Sequence, residues 1–150
     1  MKKYAQISQL FLRIAIGVGY LVPGLDRLGV WGPPGGKYIS WGNWETFLKY
    51  ASEVMSFVPK PMVPILAVLA TVGELGFGVL LILGKWTRMA ALGSALLSFM
   101  FAVSMTISFG IVSPLSYSVF TLSAASLLLS TIDHYSRSLD AFSANPSSSP

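Results

Sequence analysis

Four stretches of this chain are each apolar over about the twenty residues that a helix needs to cross a hydrocarbon core: residues 5–25, 61–84, 88–109 and 114–132. Such runs leave few folds open, because lipid offers no partner to backbone N–H and C=O groups and only helices or closed barrels satisfy their own. Only 11% of the 150 residues are charged, where soluble domains carry about 25%. Mean hydropathy is +0.66. The expected fold is all-α: an integral membrane four-helix bundle over 1–132, with lipid as its surroundings. Lys2 and Lys3 ahead of the first run imitate a signal peptide, but Arg13 interrupts that run and no small-x-small site follows, so the span reads as uncleaved.

Sequence punctuation supports these limits. Pro59, Pro61 and Pro64 crowd the start of the second run, where missing N–H groups cost little. Ser113–Pro114 reads as an N-cap and first turn for the fourth. Only GKWTR separates the second run from the third, which makes those helices antiparallel neighbours. Residues 133–150 turn polar and rich in Ser and Pro, and read as a disordered tail.

Lys2, Lys3, Lys85, Arg88 and Arg137 flank the runs on one side, and the short loop between the third and fourth runs carries no basic residue. The positive-inside rule then predicts a multi-pass protein of the cell inner membrane with both termini cytoplasmic. The net charge of +4 speaks to this topology rather than to nucleic acid.

The first loop carries more than a connection needs. Trp31, Trp41 and Trp44 suit the headgroup level as interfacial anchors. Asn43 can cap an amphipathic helix over 43–58, whose residues Trp44, Phe47, Leu48, Ala51, Val54, Met55 and Val58 share one face. On the other face Glu45–Lys49 and Lys49–Glu53 are four apart. That helix reads as a structural lid or as a gate over a lipid-accessible pocket.

Inside ATVGELGFGVLLILG, residues 70–84, stands Glu74. A charge at mid-bilayer costs at least about 2.5–3.5 kcal/mol, so it faces the protein interior, a partner or a proton. Ala67, Thr71, Glu74 and Gly78 make a stripe of small residues, and Arg13, Gly17, Tyr20 and Gly24 make a second on the first run. Small stripes let helices approach closely. Counting depth at 1.5 Å per residue puts Arg13 about 12 Å and Glu74 about 15 Å from the same membrane face. The expectation is an Arg13–Glu74 pair or a shared pocket, with Tyr20 beside it and Arg88 a remoter partner able to snorkel. The pair either fixes helix register or forms a polar pocket for a quinone headgroup or a proton relay. Tyr117, the serines of the last two runs and Asp133–His134 read as anchoring, bundle hydrogen bonding and a solvated helix end.

These residues resemble the DoxX family. LFLRIAIGVGYLVPGLDRLG is similar to its opening span, closing on Gly24, Arg27 and Leu28; ATVGELGFGVLLILGKWTRMAALGSALLSFM resembles its second and third, with Gly84, Thr87 and Arg88 at the turn; SPLSYSVFTLSAASLLL looks like a last span. The resemblance covers residues 7–132. It implies a four-helix membrane bundle related to the small subunit of a thiosulfate:quinone oxidoreductase, with redox enzyme subunits as partners. Arg13, Glu74, Thr87 and Arg88 match motif positions, and the family label gives none of them a catalytic role.

With no cysteine and only His134, the chain alone offers no disulfide, thiol chemistry, iron–sulfur ligation or bis-histidine haem, and no metal site is expected. No nucleophile–base pair or phosphate loop points to autonomous hydrolysis. Three readings stand: a quinone-linked redox component without a covalent cofactor; a membrane anchor or assembly partner, alone or as a homo-oligomer; and a carrier of a small lipid or solute.

Overall fold

The structure, a computed structural model, describes residues 2–144, and those residues contain helices and no strands. Three helices are long and apolar enough to cross a membrane: α1 (Lys2–Asp26), α3 (Val63–Leu83, preceded by a 3-10 turn at Lys60–Met62) and α4 (Thr87–Phe109). Their outward faces are apolar as well. Tyr4, Ile7, Phe11, Ile65, Leu69, Val72, Leu96 and Ile107 are all exposed, a surface that water would not tolerate over so large an area.

The interior is built from small residues. Arg13, Gly17, Tyr20 and Gly24 of α1 are buried against α3, and Ala67, Thr71, Glu74 and Gly78 of α3 are buried in return. At the crossing the backbones nearly touch. A Cβ on Gly17 would lie 2.9 Å from the Gly78 carbonyl oxygen, and one on Gly78 would lie 3.0 Å from that of Gly17. On α4 the buried positions are Thr87 and Met105 near its ends and, between them, Ala90, Ala91, Ser94, Ala95, Ser98 and Ala102. They face α3 and the shorter α6 (Val119–Ser130), and α6 also reaches α1.

The fourth apolar run departs from the expected single helix over 114–132. It divides into α5 (Val112–Ser116) and α6, with Ser118 between them at φ 56. Ser113 and Pro114 lie inside α5 rather than capping a long helix. At the break Tyr117 N–H donates to Ser113 O at 3.2 Å and Ser118 N–H to Leu115 O at 3.1 Å, so the chain turns there without losing its backbone hydrogen bonds. Twelve residues make α6 about 18 Å long.

Between α1 and α3 the chain folds back over the bundle. Asp26 Oδ2 accepts the backbone N–H groups of Ser40 (3.1 Å) and Trp41 (2.8 Å), drawing the loop onto the end of α1. Gly42 sits at φ +68, where a Cβ would come within 2.5 Å of Pro34. Only glycine fits there. Asn43 then caps α2 (Trp44–Val54), its Oδ1 accepting from Thr46 N–H at 2.8 Å. The helix stops at Val54, short of the expected residue 58. Glu45–Lys49 pair at 3.1 Å on its exposed face.

At the opposite end, α3 closes on Gly84 in the left-handed conformation. Here the expected disordered tail is corrected over residues 133–144, while 145–150 lie outside the described residues. Tyr135 and Ser138 are buried, and α7 (Leu139–Ala144) follows. Asp140 explains the docking. Its two carboxylate oxygens each accept at 2.8 Å from Trp86 and Thr87 N–H, capping α4, and its own N–H donates to Gly84 O at 2.9 Å. Serine-rich polar composition does not reveal a cap supplied from 53 residues away. Burial works against the charged carboxyl, but the Thr87 and Trp86 donors outweigh it and hold Asp140 below its ordinary 3.8.

Candidate functional site

Glu74 is buried, and its partner is Arg27. Arg27 Nη2 lies 2.8 Å from Glu74 Oε2, with both side chains almost wholly enclosed. The expected Arg13–Glu74 pair does not form. The reason is register: Gly17 sits against Gly78 and Ile82, and Gly24 against Leu75, while a Cβ on Gly84 would lie 2.8 Å from Arg13 Nη1. Arg13 is therefore level with the end of α3, and the first turns of α1 extend past that end. The depth reckoning fails because it starts both helices in one plane.

Arg27 follows directly on α1, and its guanidinium turns back into the bundle. Nη1 donates to Thr71 Oγ1 at 2.9 Å and Nε to Pro23 O at 3.3 Å, and Thr71 Oγ1 in turn donates to Ala67 O at 2.8 Å. Above it lies the aromatic roof of the first loop and α2. The guanidinium carbon sits 4.0 Å from the Phe47 ring centroid and 5.2 Å from that of Trp41. A desolvated guanidinium over aromatic faces gains about 2 kcal/mol or more. The result is a buried ion pair whose guanidinium also hydrogen-bonds Pro23 and Thr71 beneath an apolar lid. It is the only buried ion pair among the described residues.

The other candidate residues are placed elsewhere. Tyr20 is buried one turn below Gly24, and its hydroxyl donates to Ser94 O at 2.7 Å, tying α1 to α4. Ser98 Oγ donates to the same carbonyl at 2.7 Å. Arg13 is 1% exposed and donates from Nη2 to Arg137 O at 2.7 Å, so it fastens the C-terminal segment instead of meeting Glu74. Gln9 does likewise through Ser136 O at 3.1 Å. Arg88 is exposed at the α3–α4 turn. Of the three tryptophans, Trp31 is exposed and donates to Val22 O at 2.9 Å. Trp41 instead belongs to the roof over Arg27, and Trp44 packs on Phe47 at 5.3 Å.

Sequence reasoning thus finds Glu74 and its stripe and misses Arg27 as the partner. The signal was present. The α1 stripe steps 13, 17, 20, 24 by four, three and four, and the next step of three lands on Arg27. Phe47 was visible as part of an apolar helix face, but its seat over a cation was not.

Chemically, the pair offers N–H donors beside an acceptor and exchangeable proton site in a dry environment. Among the described residues no cluster of His, Cys, Asp or Glu could hold a metal ion. Two surface grooves lie around the α3–α4 turn, and neither includes Glu74. Compared with known proteins, the chain matches the DoxX family model over residues 8–109, a region that ends with α4 and contains α1 from residue 8 onward, the lid, α3 and the Arg27–Glu74 pair. No curated protein and no solved structure matches.

Proposed function

The chain belongs to the DoxX family, and on that premise we propose that it is an integral membrane component of a redox system that binds a quinone headgroup at the Arg27–Glu74 pair beneath α2. The bilayer would be crossed four times, with α5 and α6 as the last span and α2 lying at the interface. Lys3, Lys85, Arg88 and Arg137 support the placement of both termini on the cytoplasmic side of an inner membrane.

The observation that carries the reading is the pair itself. A buried ion pair is often no more stabilising than apolar side chains of the same volume, and lipid-embedded ionisable groups mark functional paths. Arg27 would donate to a quinone carbonyl oxygen and Glu74 would exchange protons with it. Reduction to quinol takes two electrons and two protons, and the electrons would come from a redox enzyme subunit. The turn-rich loop, with Gly29, Gly32, Gly35 and Gly42 at positive φ, brings α2 back over the pair. One observation favours the second reading, a membrane anchor or assembly partner: Arg27 already neutralises the Glu74 charge without any ligand.

The test is mass spectrometry of small molecules co-purifying with the wild-type chain and with Glu74→Gln from gently solubilised membranes. Quinone retained by the first and lost from the second is the expected result. Absence of quinone from both overturns the quinone site and leaves the anchor.

A further inference from the structure

Away from the Arg27–Glu74 pair, two grooves meet at the turn that joins α3 to α4. One, about 330 Å³, is lined by the charged side chains of Arg88, Asp133 and Asp140 together with Thr87, Ile132 and Tyr135. The other, about 580 Å³, is apolar and runs past Phe77, Leu80, Leu92 and Leu96 on the outer faces of the two helices. Trp86 and Met89 line both, so the two grooves adjoin at those side chains. Both volumes fall within the range of about 300–1,000 Å³ typical of small-molecule sites.

The junction is held in an unusual conformation. Trp86 has φ 48, a left-handed backbone that bulky residues rarely adopt, and its N–H is fixed on Asp140. Its side chain is 65% exposed, with Lys85 Nζ 5.7 Å from the ring centroid. An indole at that place, between a recess with charged side chains and a lipid-facing slot, suits the headgroup level of a bilayer.

The charges at that recess are complementary to one kind of headgroup. Arg88 and Asp133 are exposed, and neither forms an ion pair among the described residues. The Asp140 carboxylate beside them is already held by the Trp86 and Thr87 N–H groups. A cation and an anion thus stand free on one rim, at the mouth of an apolar slot. We infer that the two adjoining grooves bind one zwitterionic aminophospholipid, its phosphate on Arg88, its primary ammonium on Asp133 and one acyl chain along α3 and α4. A choline headgroup lacks N–H donors for Asp133, and a glycerol headgroup leaves that carboxylate without a cation.

The test is native mass spectrometry of the full chain in micelles, titrated with phosphatidylethanolamine, phosphatidylcholine and phosphatidylglycerol of identical chains. The expected result is retention of phosphatidylethanolamine about tenfold better than of either other lipid, equivalent to about 1.4 kcal/mol. Asp133→Asn removes that preference without lowering phosphatidylcholine binding, and Arg88→Gln weakens both. Leu92→Trp, which fills the slot from its exposed face, weakens all three. Equal retention of the three lipids, a preference for phosphatidylglycerol, or a preference unchanged in Asp133→Asn overturns the inference. Because Asp133 is exposed and forms no ion pair among the described residues, that variant remains interpretable even if Arg88→Gln folds poorly.

Discussion

Gly17 and Gly78 set how closely α1 and α3 approach, and so whether Arg27 can reach Glu74. At Gly17 a methyl would meet Ile82 at 2.7 Å as well as the Gly78 carbonyl at 2.9 Å, so Gly17→Ala forces the helices apart. Gly19 and Gly76 face outward with nothing within 4 Å of a built Cβ. There alanine only removes glycine's backbone freedom, a gain of roughly 0.5–1 kcal/mol within a helix. Unfolding in micelles is expected to show Gly17→Ala losing stability, while Gly19→Ala and Gly76→Ala hold or gain it. Equal effects at all three would contradict the close crossing. These glycines and Glu74 were legible because a stripe of small residues has one use between apolar helices. Arg27 was not, because it follows the last helical residue and looks like a loop charge until its side chain is seen folding back.

The helices themselves are well marked in the sequence where the chain stops them with proline, glycine or a capping side chain. Asn43, Pro61 and Gly84 stand where the structure begins or ends helices. Where the structure depends on tertiary contact, the sequence is silent, as in the segment led by Tyr135. The docking of α7 depends on Asp140, which gives a stability effect with a definite pH sign. A carboxyl held below its ordinary value contributes stability above that value and loses it as pH falls through the folded one. Asp140→Ala is expected to cost about 1 kcal/mol near neutral pH, the usual worth of a cap. The difference from wild type should begin to shrink below pH 3.8 and vanish once the pH has fallen past the lowered value of the folded state. Hydrogen exchange of residues 133–144 reads the same event locally. A difference that persists in strong acid would mean that Asp140 acts through something other than its charge.

For the molecule as a whole, one rigid-body parameter decides the functional site: the shift of α1 along α3. Composition and run lengths identify a helical membrane protein but carry no information on that shift. Assuming that both helices begin in one plane selects Arg13. In the structure Arg13 is level with Gly84, and its place beside Glu74 is taken by Arg27 under the α2 lid. A double-mutant cycle separates the two registers. Unfolding free energies in micelles would be measured for wild type, Arg27→Leu, Glu74→Leu and the double variant, with Arg13→Leu as the parallel series. Breaking a buried pair from one side costs about 3–5 kcal/mol, so each single change at 27 or 74 is expected to be severe. The double change should fall short of their sum by at least about 1 kcal/mol, while Arg13→Leu and Glu74→Leu should add within about 0.5 kcal/mol. Additive losses at 27 and 74, or coupling between 13 and 74, would contradict the account.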